Sequence, residues 1–230
     1  MIPQQKDRKS KFIYIYILLF ILITSINNKN FYNKELFSNN LIFEVNGLPY
    51  VDNQKLKKNL ININEDNIFK LDKNKLLNTI NENNLVLNFL AKKNYPNKID
   101  IEINKAKYFG KIYKNQQLYI IGSNGKLIDY DVDSMKDLPY FYGNFKREEF
   151  LKFSIILNKV GLETKNISSF YFFRSGRWDI KFKDGLLLKL PNKDLMNVLS
   201  KALLLKNDKN FTNSKIIDLR IKNRIISNGW

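Results

Sequence analysis

The sequence predicts an α+β fold in three parts: an N-terminal transmembrane helix, a small β-α-α-β-β domain, and a C-terminal antiparallel β domain with two helices. Three observations predict it. A charge-free run, Phe12 to Ile26, follows a basic stretch. Signals for strand, helix, helix, strand and strand succeed one another between Leu41 and Asn104. Beyond them, period-two apolar runs broken by Asn-Gly and Asp-Gly alternate with two helical stripes.

The basic tail (1–11) carries Lys6, Arg8, Lys9 and Lys11, which places the N-terminus in the cytoplasm. The anchor, bounded by Phe12 and Ile26, extends over 12–28. Its uncharged part spans only about 22 Å, so the span relies on Lys11 snorkelling and on a polar end near the headgroups. A cleaved signal peptide is the competing reading, but "TSINNKN" offers no small-x-small cleavage site. A polar linker (29–40) leads to the first folded domain (41–105).

In that domain Leu41 to Gly47 reads as a strand ending in an Asn-Gly turn. Asp52 is the expected N-cap of a helix carrying Leu56 and Leu60, and Asp72 of one carrying Leu76, Leu77 and Ile80. Strands follow over 85–93 and 98–104, the second with Ile99, Ile101 and Ile103 facing inward.

In the last part (106–230), a hairpin centres on Asn124-Gly125, and 138–144 reads as a loop. Phe150, Phe153, Leu157 and Val160 share a helix face, stopped by Gly161. Trp178, Ile180 and Phe182 alternate before Asp184-Gly185, which suits a type I′ turn. A second helix carries Leu195, Val198, Leu199 and Ala202 on one stripe. The chain then ends on "KIIDLRIKNRII" (215–226), which reads as one half-buried strand.

Composition narrows function. With no Cys and no His, thiol catalysis, Ser-His-Asp triads, imidazole acid–base chemistry and the usual zinc sets are excluded. The net charge of +17 comes from Lys spread along the whole chain, which argues against a nucleic-acid stripe. Asp129, Asp131 and Asp133 alternate but lack the ligand count of a calcium site. Glu148 and Glu149 suit a helix start rather than a catalytic pair. No catalytic residue, metal, cofactor or small-molecule substrate is expected, and the chain reads as a non-enzyme.

The layout resembles the FtsQ/DivIB family of bitopic bacterial cell-division proteins. The resemblance rests on "FEVNG", "NIFKLD", "YPNKIDIEI", "NGKLID", "LPYFYG", "GRWDIKFKDGLLLKLP" and "IDLR", in that order behind an anchor. After the third strand the family often has an acidic residue and a Pro, where this chain has "NKAKYFGK". The resemblance implies that 41–105 is a POTRA domain. It also implies a divisome scaffold in the inner membrane, at the division site, with the C-terminus in the periplasm. Such a scaffold binds the FtsB–FtsL pair and helps recruit the septal peptidoglycan synthase FtsW–FtsI. Another membrane-anchored POTRA protein, acting as chaperone or transport accessory, is the alternative.

In the family the last strand accepts a short strand from FtsB. The expected partner-binding residues are therefore Arg220, Ile221, Lys222, Asn223, Arg224, Ile225 and Trp230, with Arg174 and Arg177 in a nearby hairpin loop. Arg220 is expected to meet a partner carboxylate and the isoleucines and Trp230 to supply apolar contact. The competing reading makes Arg220, Lys222 and Arg224 gatekeeper charges on an edge strand. Trp178 is read as core.

Overall fold

Helix α1 (Arg8–Ser25) opens the computed structural model, which describes residues 8–25, 41–63, 68–129, 137–211 and 213–228. α1 is 18 residues long, but Arg8, Lys9 and Lys11 fall in its first turn. Its uncharged part is therefore about 21 Å long, short of the ~30 Å hydrocarbon core. The expected span over 12–28 is corrected accordingly: no helix among the described residues is long and apolar enough to cross a membrane. Ile26 lies outside the described residues. From Phe12 to Ile23 every side chain is large, apolar or aromatic, and exposed.

Strand β1 (Ile42–Asn46), helices α2 (Tyr50–Ile61) and α3 (Lys73–Glu82), and strands β2 (Val86–Asn94) and β3 (Lys98–Lys105) form the first unit. Its three-stranded sheet runs β1-β3-β2, with β1 parallel and β2 antiparallel to β3. Asp72 caps α3 as expected, accepting from the backbone of Asn74 at 2.8 Å. Asp52 does not cap α2. That helix starts three residues earlier, at Tyr50 behind Pro49, and Asn53 instead bonds both backbone groups of Leu48. Phe43, Ile99 and Ile101 pack with Leu56, Leu60 and Ile80 in a closed core.

Strands β4 (Tyr108–Lys114), β5 (Gln117–Gly122), β6 (Leu127–Ile128), β7 (Tyr140–Tyr142), β8 (Ile167–Phe172), β9 (Trp178–Phe182), β10 (Leu187–Lys189), β11 (Ile216–Asp218) and β12 (Ile226–Asn228) form one nine-stranded sheet. Its order is β12-β11-β10-β9-β8-β7-β4-β5-β6. The sheet is mixed, not antiparallel as expected: β4–β7, β7–β8 and β10–β11 are parallel pairs. The reason is connectivity. Helix α4 (Arg147–Lys159) carries the chain from β7 to β8, and α5 (Leu195–Lys206) from β10 to β11. A helical crossover returns the next strand in the same direction.

The 138–144 segment, expected as loop, contains β7, which fills the gap between β4 and β8. Gly143 ends it at φ +106°, where a Cβ would lie 2.2 Å from the Phe172 carbonyl oxygen. The hairpin turns also differ from expectation. At Asp184-Gly185 only the glycine has positive φ, so this is not a type I′ turn. The adjacent positive-φ pair is Asn115-Gln116, between β4 and β5.

Both helices pack on one face of the sheet. Phe150, Phe153 and Leu157 of α4 and Leu199 and Ala202 of α5 meet Phe141, Phe170, Trp178, Ile180, Leu188 and Ile217. The Phe153 and Trp178 rings stack at 4.3 Å. Phe141 is the hub, within 6.0 Å of the rings of Phe109, Phe145, Phe150, Phe170 and Trp178.

The two units are joined by a polar clamp. Asn124, 4 % exposed, donates to the carbonyls of Asn84 (2.9 Å) and Val86 (2.8 Å). Lys126 reaches the Asn81 and Asn83 carbonyls at the end of α3, where a cation suits the helix dipole. Burial, and then Arg147, hold the Lys126 ammonium below its ordinary pKa.

Two outcomes follow from this packing. Phe141→Ala is expected to cost about 3–5 kcal/mol, read as a lower urea midpoint. Asn124→Ala is expected to cost about 1–3 kcal/mol, chiefly for the buried Val86 carbonyl left unpaired, and to raise backbone amide exchange at Ala106, which bonds the Leu85 carbonyl beside the clamp.

Candidate functional site

The C-terminal segment is not one strand. β11 stops at Asp218, residues 219–225 turn, and β12 folds back antiparallel with Ile217 opposite Ser227. The expectation of a single strand over 215–226 is corrected by two local interactions. Asp218 accepts from the backbone N–H of Arg220 at 3.1 Å, an Asx-type turn that pulls the chain out of register. Asn223 then sits at φ +60°, which Asn tolerates better than most residues, and Arg224 N–H closes on the Ile221 carbonyl at 3.1 Å. Apart from Asn223 the period-two pattern runs on through this turn, so the alternation gave little warning of it.

The edge of the sheet is therefore β12, all three residues of which are exposed. Among the described residues no strand pairs with its outer side. Trp230, expected as a partner contact, lies outside the described residues. Ile221, Lys222, Asn223, Arg224 and Ile225 occupy the β11–β12 turn and are exposed, with Ile221 and Ile225 each 50 % exposed.

Arg220 is not a free cation. Its guanidinium forks onto Asp218, Nε at 2.8 and 3.0 Å and an Nη at 2.5 Å. Arg220 holds the Asp218 carboxyl below the usual carboxylate range. Arg177 is likewise engaged, stacked on the Phe173 ring at 3.9 Å and 3.4 Å from Asp179. Arg174 is exposed in the β8–β9 turn.

Register explains why these groups converge. Asp179 lies opposite Lys189, Lys189 opposite Asp218, and Asp218 opposite Ile226, one row across β9 to β12. The β8–β9 and β11–β12 turns leave the sheet at the same end as this row. The structure thus brings Arg177, Arg220 and the 221–225 turn to one corner beside the β12 edge. Asp179, which the sequence reading did not single out, is its buried member: 3 % exposed and accepting from the Leu190 N–H at 3.3 Å. Burial raises its pKa, opposed in part by Arg177 and Arg220. No group of three or more acidic side chains able to hold a metal occurs among the described residues, and Asp131 and Asp133 lie outside them.

Comparison with known proteins adds a family. A family model described as the C-terminal region of the cell division protein FtsQ/DivIB matches residues 111–220. The chain is similar to cell division protein FtsQ of Bradyrhizobium diazoefficiens, 24 % identical over 68 % of this chain and 46 % of that protein. It is similar to cell division protein DivIB of Clostridium tetani, 33 % identical over 53 % of this chain and 43 % of that protein. It also resembles FtsQ of Rickettsia felis, 26 % identical over 80 % of this chain and 69 % of that protein. The chain thus spans less than half the length of the first two relatives. The extracytoplasmic domain of DivIB from Geobacillus stearothermophilus aligns over 46 % of this chain and 99 % of that one, at 16 % identity and a TM-score of 0.30.

The two aspartates of the row should respond oppositely. Asp218 has a depressed folded pKa, so its contribution is present above the unfolded value of about 3.9 and is lost as pH falls through the folded pKa. Asp179 has a raised one, so its contribution is present below about 3.9 and is lost as pH rises through the folded pKa. At pH 7, Asp218→Asn is expected to lower stability by about 1–2 kcal/mol, and Asp179→Asn to leave it unchanged or raise it. Urea titrations of both variants at pH 7 check this, and equal destabilisation would contradict it.

Proposed function

We propose, on the premise that this chain belongs to the FtsQ/DivIB family of cell division proteins, that it is a membrane-attached, non-enzymatic scaffold of the division site. Its β12 edge accepts a short strand from an extracytoplasmic partner. The observation that carries this reading is the exposed β12, terminal in a nine-stranded sheet and set in place by the Asp218–Arg220 fork. An added strand gains about 0.5–1.5 kcal/mol net for each backbone hydrogen bond, so affinity also needs side-chain anchors. Ile221 and Ile225 beside the edge supply these, and Lys222 and Arg224 steer an acidic segment toward it. The family resemblance names FtsB, with FtsL, as that partner, and through them the synthase FtsW–FtsI.

Membrane attachment falls to α1. A helix apolar on every side finds its cover in lipid or a protein core, and α1 is exposed all round. Arg8, Lys9 and Lys11 put positive charge in its first turn, which suits an anionic headgroup layer beside the apolar stretch.

Two experiments test this. In binding measurements between the full chain in nanodiscs and the extracytoplasmic segment of FtsB, Ser227→Pro is expected to weaken affinity at least about tenfold, because a proline removes a ladder donor. Undiminished affinity with an unchanged urea midpoint would reject the edge mechanism. For the anchor, Ile17→Lys with Phe20→Lys is expected to move the chain from the carbonate-resistant membrane fraction to the supernatant, at about 2.5–3.5 kcal/mol per buried lysine. Because the chain has no Cys, single-cysteine variants on either side of α1 report orientation without background labelling.

A further inference from the structure

The face of the large sheet opposite α4 and α5 carries no helix among the described residues. Register defines it: Phe141, Phe170, Ile180, Leu188 and Ile217 align on the helix-covered side, so their sequence neighbours point the other way. Three of those neighbours are tyrosines, Tyr140, Tyr142 and Tyr171, and Tyr113 joins them because its neighbour Ile112 pairs with Phe141. Tyr113 and Tyr140 stack at 6.4 Å, Tyr140 and Tyr142 at 6.0 Å, and Tyr142 and Tyr171 at 5.1 Å. The interplanar angles are 3°, 21° and 17°.

Stacking spends the inner ring faces on one another, so the ladder presents ring edges and hydroxyls outward. Ser169 donates to the Tyr171 hydroxyl at 3.1 Å, which leaves that phenol's own O–H free to donate. Burial, and then the neighbouring phenols, raise the Tyr142 pKa and keep it a donor at neutral pH. Tyr142 is 43 % exposed.

The same face is cationic. Lys111 lies over the Tyr140 ring at 4.3 Å, Lys181 is exposed on β9, and Lys189 is half-buried on β10. Its two described carboxylates, Asp179 and Asp218, are each held by an arginine of their own. An incoming anion would therefore meet ammonium groups and phenolic donors and little exposed negative charge.

We infer that this tyrosine–lysine face is a docking surface for an acidic, extended segment of a partner polypeptide. A second copy of the chain is disfavoured as occupant by the +17 charge of each. A single-stranded nucleic acid needs open ring faces to stack on, and the inner rings have none. A stacked, pre-ordered ladder offers rigid contact area at low entropic cost, and tyrosine suits that use. The face borders the β12 edge through the row that holds Lys189 and Asp218, but its tyrosine ladder lies on β4, β7 and β8 and does not depend on that edge binding anything.

The test uses a fluorescein-labelled hexaglutamate peptide titrated into the full chain in phosphatidylcholine nanodiscs at low salt. Lys181→Glu with Lys189→Glu is expected to weaken binding about tenfold or more. A control pair on the helix side, Lys152→Glu with Lys201→Glu, makes the same change in net charge and is expected to weaken it less than about threefold. Tyr142→Phe with Tyr171→Phe removes hydroxyls without changing charge or ring stacking, and is expected to weaken it measurably. Equal loss in the two lysine pairs, or no loss in the face pair, would overturn the proposal. Near-UV circular dichroism of each variant separates loss of binding from loss of fold.

Discussion

Two parallel strand pairs, each joined through a helix, decide how the larger sheet is dressed. β7 and β10 point the same way, and both crossovers move toward the β12 side. Right-handed crossovers then place α4 and α5 on the same face. The larger apolar cluster of the region collects there: the aromatic hub at Phe141, the Phe153–Trp178 stack and the aliphatic row from Ile180 to Ile217. The opposite face carries a small apolar cluster around Ile120 and Ile128 at its β5–β6 end, and tyrosines, lysines and paired carboxylates from β4 across to β11. Among the described residues β12 pairs on one side only, so the sheet also keeps an unclosed edge.

Charge in the partner corner is arranged by depth. Asp218, near the β11 edge, is paired tightly enough to ionise readily, and its arginine sets the turn that leads into β12. Asp179, two strands inward, is too buried for Arg177 at 3.4 Å to offset the loss of water. The gatekeeper and docking readings of the terminal cations separate on this point. Arg220 is committed to Asp218 of its own segment, so it contributes order, whereas Lys222 and Arg224 stand exposed in the turn. Arg177, pinned between Phe173 and Asp179, belongs with Arg220 as a residue that shapes the corner.

Local signals read well where the chemistry was local. Asp72 as a cap, Gly161 as a helix stop, the α4 and α5 stripes and Trp178 as core each depend on a few neighbouring residues. The features that escaped depend on distant ones. β7 is only "YFY", three aromatics with no polar alternate, and becomes a strand because β4 and β8 flank it. β4 turns into β5 through Asn115-Gln116, a pair without the glycine that marks most such turns. The break after Asp218 needed the Asp218–Arg220 fork, and the only hint was Asn223 inside an otherwise regular alternation. The tyrosine ladder was invisible because its members come from three strands that the β5–β6 hairpin and helix α4 keep apart in sequence.

The clamp at Asn124 bears on how the two folded units act together. Asn124 is at the tip of the β5–β6 hairpin, the end of the sheet opposite β12. It satisfies carbonyls in the link from α3 into β2, and Lys126 closes over the last carbonyls of α3. Such bonds are directional, and breaking the one to Val86 leaves a buried acceptor unpaired, so the hairpin resists rotation against the first unit more than apolar contact alone would. The sheet therefore has one end tied to the first folded unit and, among the described residues, the other end open at β12.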